Sequence, residues 1–283
     1  RAIARDAYGA DQLVKAIAYI TMFYTLGPMT APIAGGILVD HFGWRAAFAF
    51  SLIGGALLLT GAYFVLYETK PPENKDEAKI GLIAGYLDLF SHLRFNCFVM
   101  QTGFNTGGFM VTAAGASYLM KEHLQRPATE YGLWFLAFPF GFLAGNFVSS
   151  RLAKNAAIET MVFIGSLWGM ATMIVLSTLL ACGIITPAAI FLPGFALTFA
   201  QGISLPFGQA GAMAVNPKLA GTASGISAFT QNFLAALFAQ LFGFFADGTV
   251  WPLIIVGSTS IFLSVVCGYL PWRQARALAA HKT

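Results

Sequence analysis

The chain has 283 residues, of which 57% are apolar and only 10% are charged, and it contains 30 glycines and 27 phenylalanines. Soluble domains carry about 25% charged residues, so this composition excludes an ordinary soluble enzyme, a disordered chain and a disulfide scaffold. The net charge of +4 comes without a basic cluster interleaved with aromatic residues, which argues against nucleic-acid binding. The sequence therefore predicts a polytopic membrane protein.

Eight segments are long and apolar enough to cross a bilayer as helices. Each crossing needs about 20 mostly apolar residues, because backbone amides cannot stay unpaired in lipid. The predicted spans are 16–39, 46–67, 95–119, 131–152, 160–184, 188–212, 222–246 and 250–270. Six spans form a complete repeat unit in several transporters, so we expect an all-α protein with one complete six-helix bundle.

The polar segment 68–94 divides these spans into two groups. It begins as a charged linker with two prolines, and its second half has the three- and four-residue periodicity of an amphipathic interfacial helix. We expect four regions: the end of an N-terminal bundle at 1–67, a cytoplasmic linker at 68–94, the C-terminal six-helix bundle at 95–272 and a tail at 273–283.

Lysine and arginine predict the orientation. Of the 16 basic residues, all but Arg45, Lys121 and Arg126 fall on one side of the predicted spans. Positive residues stay on the cytoplasmic side, so the linker and the C-terminus are expected in the cytoplasm. The chain begins without methionine on a cytoplasmic edge, which we interpret as an N-terminal truncation.

Polar residues inside the spans are amides and not acids. All 12 acidic residues lie in loops or at span ends, and no proton-binding site is assigned. Unpaired buried amides are costly, so amide-bearing helices are expected to be inner and the amide-free spans 160–184 and 250–270 peripheral. Three cysteines lie far apart in apolar runs, and neither a metal nor another cofactor is expected.

Helical spacing predicts a cavity wall of aromatic rings and amides. Gln101, Asn105, Gly108 and Thr112 recur at i, i+4, i+7 and i+11, which places them on one face. Such a wall suits bulky amphiphilic ligands, whereas the alternative is helix–helix hydrogen bonding with lipid-facing phenylalanines. The candidate lining residues are Gln101, Asn105, Thr112, Phe138, Phe142, Asn146, Phe195, Phe199, Gln231 and Asn232.

Two span ends share the spacing Gly-x-x-x-Asp-x-x-x-Trp, at residues 36–44 and 243–251. If the halves are parallel repeats, the first copy ends a fifth span, and about four spans are then expected upstream. Asp40 and Asp247 could couple protons, but capping or hydration at the outer interface is the preferred interpretation.

Several segments resemble consecutive landmarks of major facilitator drug exporters, and the bicyclomycin/chloramphenicol-resistance group of drug:proton antiporters is the nearest match. They are RAIARD (1–6), GPMTAPIAGG (27–36), GWRAAF (43–48), Glu68-Thr69, AGASY (114–118) and AGTAS (220–224), with Phe229 and Gln231 at the expected spacing. The resemblance covers the chain from the end of the family's fourth helix to its twelfth.

The resemblance implies residue roles. Gly27, Pro28, Gly35 and Gly36 match the antiporter motif of the fifth helix, which controls leakage and switching. Arg5 and Asp6 match the cytoplasmic charge relay. The stretch from Asn146 to Lys154 resembles a degenerate second copy of that relay, but a positive-inside anchor is the preferred role for Arg151.

These features predict proton-coupled export of hydrophobic or amphiphilic drugs across the bacterial inner membrane by a monomeric transporter. A metabolite or amino-acid exporter of the same fold is the alternative. A third possibility is that the chain by itself is an inactive fragment. An enzyme is not expected, because all four histidines lie outside the span interiors and an intramembrane serine hydrolase needs one beside its nucleophile.

Overall fold

The computed structural model describes residues 3, 12–24, 27, 38, 42–65, 82–126, 128–154 and 156–280. Every regular element within these residues is helical. The helices are α1 (12–24), α2 (Trp44–Val65), α3 (Leu82–Ser91), α4 (Leu93–Tyr118), α5 (Ala128–Phe135), α6 (Ala137–Leu152), α7 (Ile158–Ala181), α8 (Pro187–Val215), α9 (Ala220–Phe245) and α10 (Trp251–Ala280).

Six helical segments among the described residues are long and apolar enough to cross a membrane. They are α2, the α5–α6 pair and α7 to α10. Helix α4 has 26 residues and packs against α8, α9 and α10, but its amides, threonines and glycines lower its hydropathy. Of the predicted first span, 16–39, the described residues include only 16–24, 27 and 38.

The predicted span 131–152 is interrupted at Leu136, where α5 ends and α6 begins. Pro139 lies three residues later and has no backbone N–H to donate to the Phe135 carbonyl, which breaks the helical hydrogen-bond ladder. The next amide, of Phe140, resumes the ladder by donating to the Leu136 carbonyl at 3.1 Å.

Helix α8 is the central helix of the bundle. Thr186 caps its N-terminus by accepting a hydrogen bond from the Ala189 amide at 3.1 Å, and Pro187 occupies the first turn, where no backbone donor is required. It packs against α4, α6 and α7, and 72% of its most apolar 18-residue stretch is buried. This position makes α8 the scaffold for the polar residues of its neighbours.

Two apolar clusters form the core, one at each end of the bundle. One contains Phe95, Phe98 and Phe207 together with Leu13 and Ile17 of α1. The other is built around rings and aliphatic residues of α4, α6, α8, α9 and α10, including Phe138, Phe191, Phe238, Leu253 and Ile261. Along α4 and α8, the buried amides of Gln101, Asn105 and Gln201 lie between the residues of the two clusters.

Candidate functional site

A buried polar network joins the middle of α4 to α7 and α10. Gln101 is fully buried, and its Nε2 donates to Ser166 Oγ of α7 at 2.9 Å and to Ser264 Oγ of α10 at 3.3 Å. The two serine hydroxyls also lie 3.3 Å apart. One amide therefore links three helices through side-chain hydrogen bonds.

The same network continues from α4 to α8. Asn105 Nδ2 donates to Ser204 Oγ at 3.2 Å, and Gln201 Nε2 donates to Thr106 Oγ1 at 3.1 Å. Among the described residues, the Thr112 hydroxyl bonds only within its own helix, where it donates to the Gly108 carbonyl at 2.8 Å. The polar stripe of α4 thus faces the bundle interior, the geometry of helix–helix hydrogen bonding.

Four buried amide oxygens have no hydrogen-bond partner among the described residues. They belong to Gln101, Asn105, Asn146 and Gln209, and the buried Ser149 hydroxyl is also without one. The side-chain NH2 group of each of these four residues donates at least one hydrogen bond. Since burying an unsatisfied carbonyl is costly, these oxygens are the places in the bundle where a water molecule would lower the free energy.

Helices α6 and α8 cross at a seam of glycines. A Cβ atom on Gly202 would lie 2.5 Å from the Phe142 carbonyl oxygen and 2.8 Å from the Asn146 amide nitrogen, and one on Gly145 would overlap the Phe199 carbonyl oxygen. Gly145 and Gly202 can approach the neighbouring backbone this closely only because they have no side chain. Asn146 lies in this seam, fully buried, and donates to the Phe142 carbonyl at 2.8 Å.

The aromatic candidates of α6 and α8 lie in different environments. Phe138 is buried in a ring cluster, 5.2 Å from Phe191 and 5.2 Å from Phe135 between centroids, and Phe142 is half-buried. Phe195 is 38% exposed. Phe199 packs against Trp168 of α7 at 5.6 Å, which places it on the α7 side of α8.

Helix α9 presents two exposed aromatic rings that stack on each other. Phe229 and Phe233 are 69% and 54% exposed and stack at 5.7 Å with an interplanar angle of 15°. Asn232 is exposed beside them and donates only to the Ala228 carbonyl of its own helix. Gln231 accepts from Gln209 of α8 at 3.2 Å. We call Phe229, Asn232 and Phe233 the α9 face.

The sequence-based candidates included Gln231 and Asn232 but missed Phe233 and Gln209. The i, i+4 spacing of Phe229 and Phe233 was a readable signal, because such residues share one helix face. Their stacking and exposure, and the pairing of Gln209 with Gln231, depend on tertiary structure. The cavity role of the candidate residues stays a prediction.

Charges are confined to the span ends in the part of the chain that is described. Arg94 of α4 pairs with Glu159 of α7, and Arg126 pairs with Glu130 at 3.4 Å. Asp247 accepts hydrogen bonds from the Thr249 hydroxyl at 2.7 Å and the Thr249 amide at 2.9 Å, and these bonds lower the pKa of its carboxyl. Asp247 thus closes a turn, which fits capping and not proton coupling.

The motif residues of the N-terminal part are mostly outside the described ranges. Arg5, Asp6, Pro28, Gly35, Gly36 and Asp40 fall there, and Gly27 is described only as a single helical residue. Arg151 is exposed at the end of α6, with its guanidinium 4.9 Å from the Phe147 ring. Its place at a span end matches the expected positive anchor.

Comparison with known proteins gives consistent relatives. The chain is 25% identical over 276 residues to a bicyclomycin resistance protein homolog of Haemophilus influenzae, covering 95% of this chain and 67% of the relative. It is 26% identical to multidrug resistance protein D of Escherichia coli, covering 85% of this chain and 60% of the relative. The chain therefore spans about two thirds of the length of these proteins.

The fold has a solved counterpart. The structure superposes on the Escherichia coli fucose:proton symporter FucP with a TM-score of 0.67 at 13% identity, covering 90% of this chain and 68% of that one. This likeness shows the fold alone. The family model of the Major Facilitator Superfamily matches residues 1–239, which is most of the chain, and so this multi-pass membrane protein belongs to the Major Facilitator Superfamily of transporters.

Proposed function

We propose that the protein is a multidrug efflux transporter that exports hydrophobic or amphiphilic drugs in exchange for protons. The observation that carries the proposal is the α9 face, an exposed surface with two stacked rings and one amide and without a formal charge. Stacking and apolar contact are tolerant of ligand shape, and one amide can donate or accept. Such a surface suits varied amphiphiles better than a small charged metabolite.

The relatives support the same substrate class. Multidrug resistance protein D is named for drug resistance. The multidrug transporter MdfA of Yersinia pestis, which is 21% identical over 165 residues, is named for drug transport. The bicyclomycin resistance protein homolog matches the longest part of this chain among the three.

We propose alternating access as the mechanism, with two helical bundles rocking around a central cavity. The glycine seam of α6 and α8 and the Gln101 network would keep the C-terminal bundle, 95–272, moving as one unit, while the linker 68–94 connects it to the residues before it. In this scheme Gly27, Pro28, Gly35 and Gly36 act at the switch between conformations, and Arg5 and Asp6 act in the cytoplasmic charge relay.

We assign proton coupling to none of the described acidic residues. Among the described residues, the acids Asp88, Glu122, Glu130, Glu159 and Asp247 lie at helix ends or in turns. An ionisable group kept near the bilayer centre normally serves a function, and these five are not in that position. We further propose that the protein is a monomer in the bacterial inner membrane. The distribution of basic residues supports a cytoplasmic C-terminus.

The test is drug accumulation in cells that produce the protein from its complete reading frame. Cells should accumulate several-fold less of a fluorescent amphiphilic drug than vector controls, and a proton uncoupler should abolish the difference. Equal accumulation with and without the protein would contradict drug export. Efflux that small metabolites inhibit and drugs do not would instead identify a metabolite exporter of the same fold.

A further inference from the structure

Three aromatic rings form a cluster on the outside of the bundle where α7 and α10 meet. Phe163 of α7 lies 4.7 Å from Trp272 and 5.6 Å from Tyr269, and the two residues of α10 lie 5.8 Å apart, all between ring centroids. Tyr269 is exposed and Trp272 is half-buried. Tyrosine and tryptophan at the end of a span mark the level of the lipid headgroups.

Two arginines extend from this cluster. The Arg276 guanidinium lies 4.3 Å from the centre of the Trp272 ring, and Arg273 is exposed one turn earlier on the same helix. Within the described residues neither arginine forms an ion pair. Glu159, the acid in the first turn of α7, is paired with Arg94. The site therefore presents positive charge that the described protein does not neutralise.

An apolar groove lies on α7, in the two helical turns that follow the aromatic cluster in the chain. It begins one residue after Phe163, has a volume of about 410 Å³ and is lined by Ile164, Leu167, Trp168 and Ala171. Ile164, Leu167 and Trp168 are 43% to 49% exposed. The groove lies on a helix that spans the membrane, so hydrocarbon and not water is its surrounding medium.

We propose that this cluster and groove bind one anionic phospholipid. The phosphate lies between Arg273 and Arg276, the rings of Tyr269 and Trp272 contact the glycerol region, and one acyl chain follows the groove of α7. Guanidinium groups bind phosphate oxygens through paired hydrogen bonds, and the juxtamembrane position selects negatively charged lipid over zwitterionic lipid. The bound lipid would hold α7 against α10, the two helices that Gln101 joins from inside.

Arg151 supplies a matched control. It is also exposed, stacks on an aromatic ring at 4.9 Å and ends a spanning helix. Its ring partner, Phe147, packs against no second ring among the described residues, whereas Trp272 belongs to a cluster of three. A general attraction of basic residues to the membrane surface would act on Arg151 as it does on Arg273 and Arg276. A specific lipid site would depend on Arg273 and Arg276 and not on Arg151.

The experiment measures tryptophan quenching in the purified full-length protein. Brominated phosphatidylglycerol or brominated phosphatidylcholine is titrated into protein held in detergent micelles, and the wild type is compared with Trp272→Phe and Trp168→Phe to assign the signals. We expect phosphatidylglycerol to quench Trp272 at lower concentration than phosphatidylcholine does. Bromine on the acyl chain should quench Trp168.

The double variant R273Q/R276Q should need about 5- to 30-fold more phosphatidylglycerol for half-maximal quenching, whereas R151Q should match the wild type. Gel filtration and far-UV circular dichroism establish that both variants are folded. Equal quenching by the two lipids, or an equal loss in R151Q, would overturn the proposal. Since drug efflux is not measured, the outcome does not depend on the function proposed above.

Discussion

Helices α8 and α9 are neighbours of similar length and hydropathy, but they are used in opposite ways. Each belongs to a 29-residue apolar segment, and the most apolar 18 residues of the two segments have mean hydropathies of 1.6 and 1.3. Of those residues, 72% are buried in α8 but only 22% in α9. The sequence predicts that both are inner helices, because both carry amides. The difference shows that apolar content places a helix in the membrane but does not say which surface it meets there.

Glycine contacts separate the two helices. In α8, a Cβ atom on Gly194, Gly202, Gly208 or Gly211 would collide with a neighbouring helix. A Cβ atom on Gly221, Gly225 or Gly243 of α9 would meet nothing within 4 Å beyond its own helix backbone. Glycine is therefore a packing residue in α8 and leaves an open surface in α9. The following predictions test this comparison, beginning with the largest effect.

Gly202→Val should destabilise the bundle, because the added side chain meets backbone atoms of Phe142 and Asn146 that cannot move aside. Overpacking of this kind costs about 3 kcal/mol or more, which corresponds to a fall of roughly 6–12 °C in Tm. Thermal unfolding of the purified protein in detergent measures it. The matched variant Gly225→Val should unfold like the wild type, and an equal fall in both would remove the distinction between the helices.

Gln101→Leu should lower stability by about 0.6–1.7 kcal/mol, the range measured for hydrogen bonds between membrane helices. The loss arises because Ser166 and Ser264 keep their hydroxyls but lose the Gln101 donor. A double-mutant cycle with Ser264→Ala isolates the pair. Asn232→Leu on α9 is the control, since its amide bonds only to its own helix, and a comparable loss there would contradict the buried network as the cause.

Phe229→Ala should weaken drug export without changing Tm. The ring is 69% exposed, so few protein contacts are lost, but the stack with Phe233 that a drug would meet is broken. An aromatic contact contributes about 0.5–1.5 kcal/mol, or about a 2- to 10-fold rise in the drug concentration for half-maximal efflux. Phe262→Ala removes a 54% exposed ring from α10 and should leave efflux unchanged.

The smallest effect is expected at the turns that end the two helices. After α8 the neutral Asn216 accepts from the Lys218 amide, and after α9 the charged Asp247 accepts from the Thr249 amide and hydroxyl. Because hydrogen bonding lowers the pKa of Asp247 below its ordinary value of 3.8, its stabilisation is present above that value and disappears as the pH falls through the lower, folded pKa.

Hydrogen exchange at the Thr249 amide measures that stabilisation. Protection should be greater in the wild type than in Asp247→Asn at pH 7, and the difference should vanish in strong acid. The Lys218 amide, bonded to a residue that does not titrate, should show no such change. A difference at Thr249 that persists in strong acid would show that the charge of Asp247 is not its source.

Much of the helical architecture was readable from the sequence. Long apolar runs predicted the spans, and a proline without an amide donor explains the break before α6. The polar stripe of α4 was also correctly placed on one face by its spacing, but spacing could not say which helices that face would meet. Gln101 meets Ser166 and Ser264, which lie 65 and 163 residues away in the chain.

Sequence alone determined that the chain lies in a membrane as helices, because a low-charge, apolar chain must satisfy its backbone amides internally in lipid. It also determined that charges lie at the span ends. Only the tertiary structure decided which amides join helices, which glycines are packed and that the α9 face is left uncovered. Those properties depend on contacts between residues distant in the chain. Of two helices with similar composition, one can therefore be packed on most sides while the other stays uncovered.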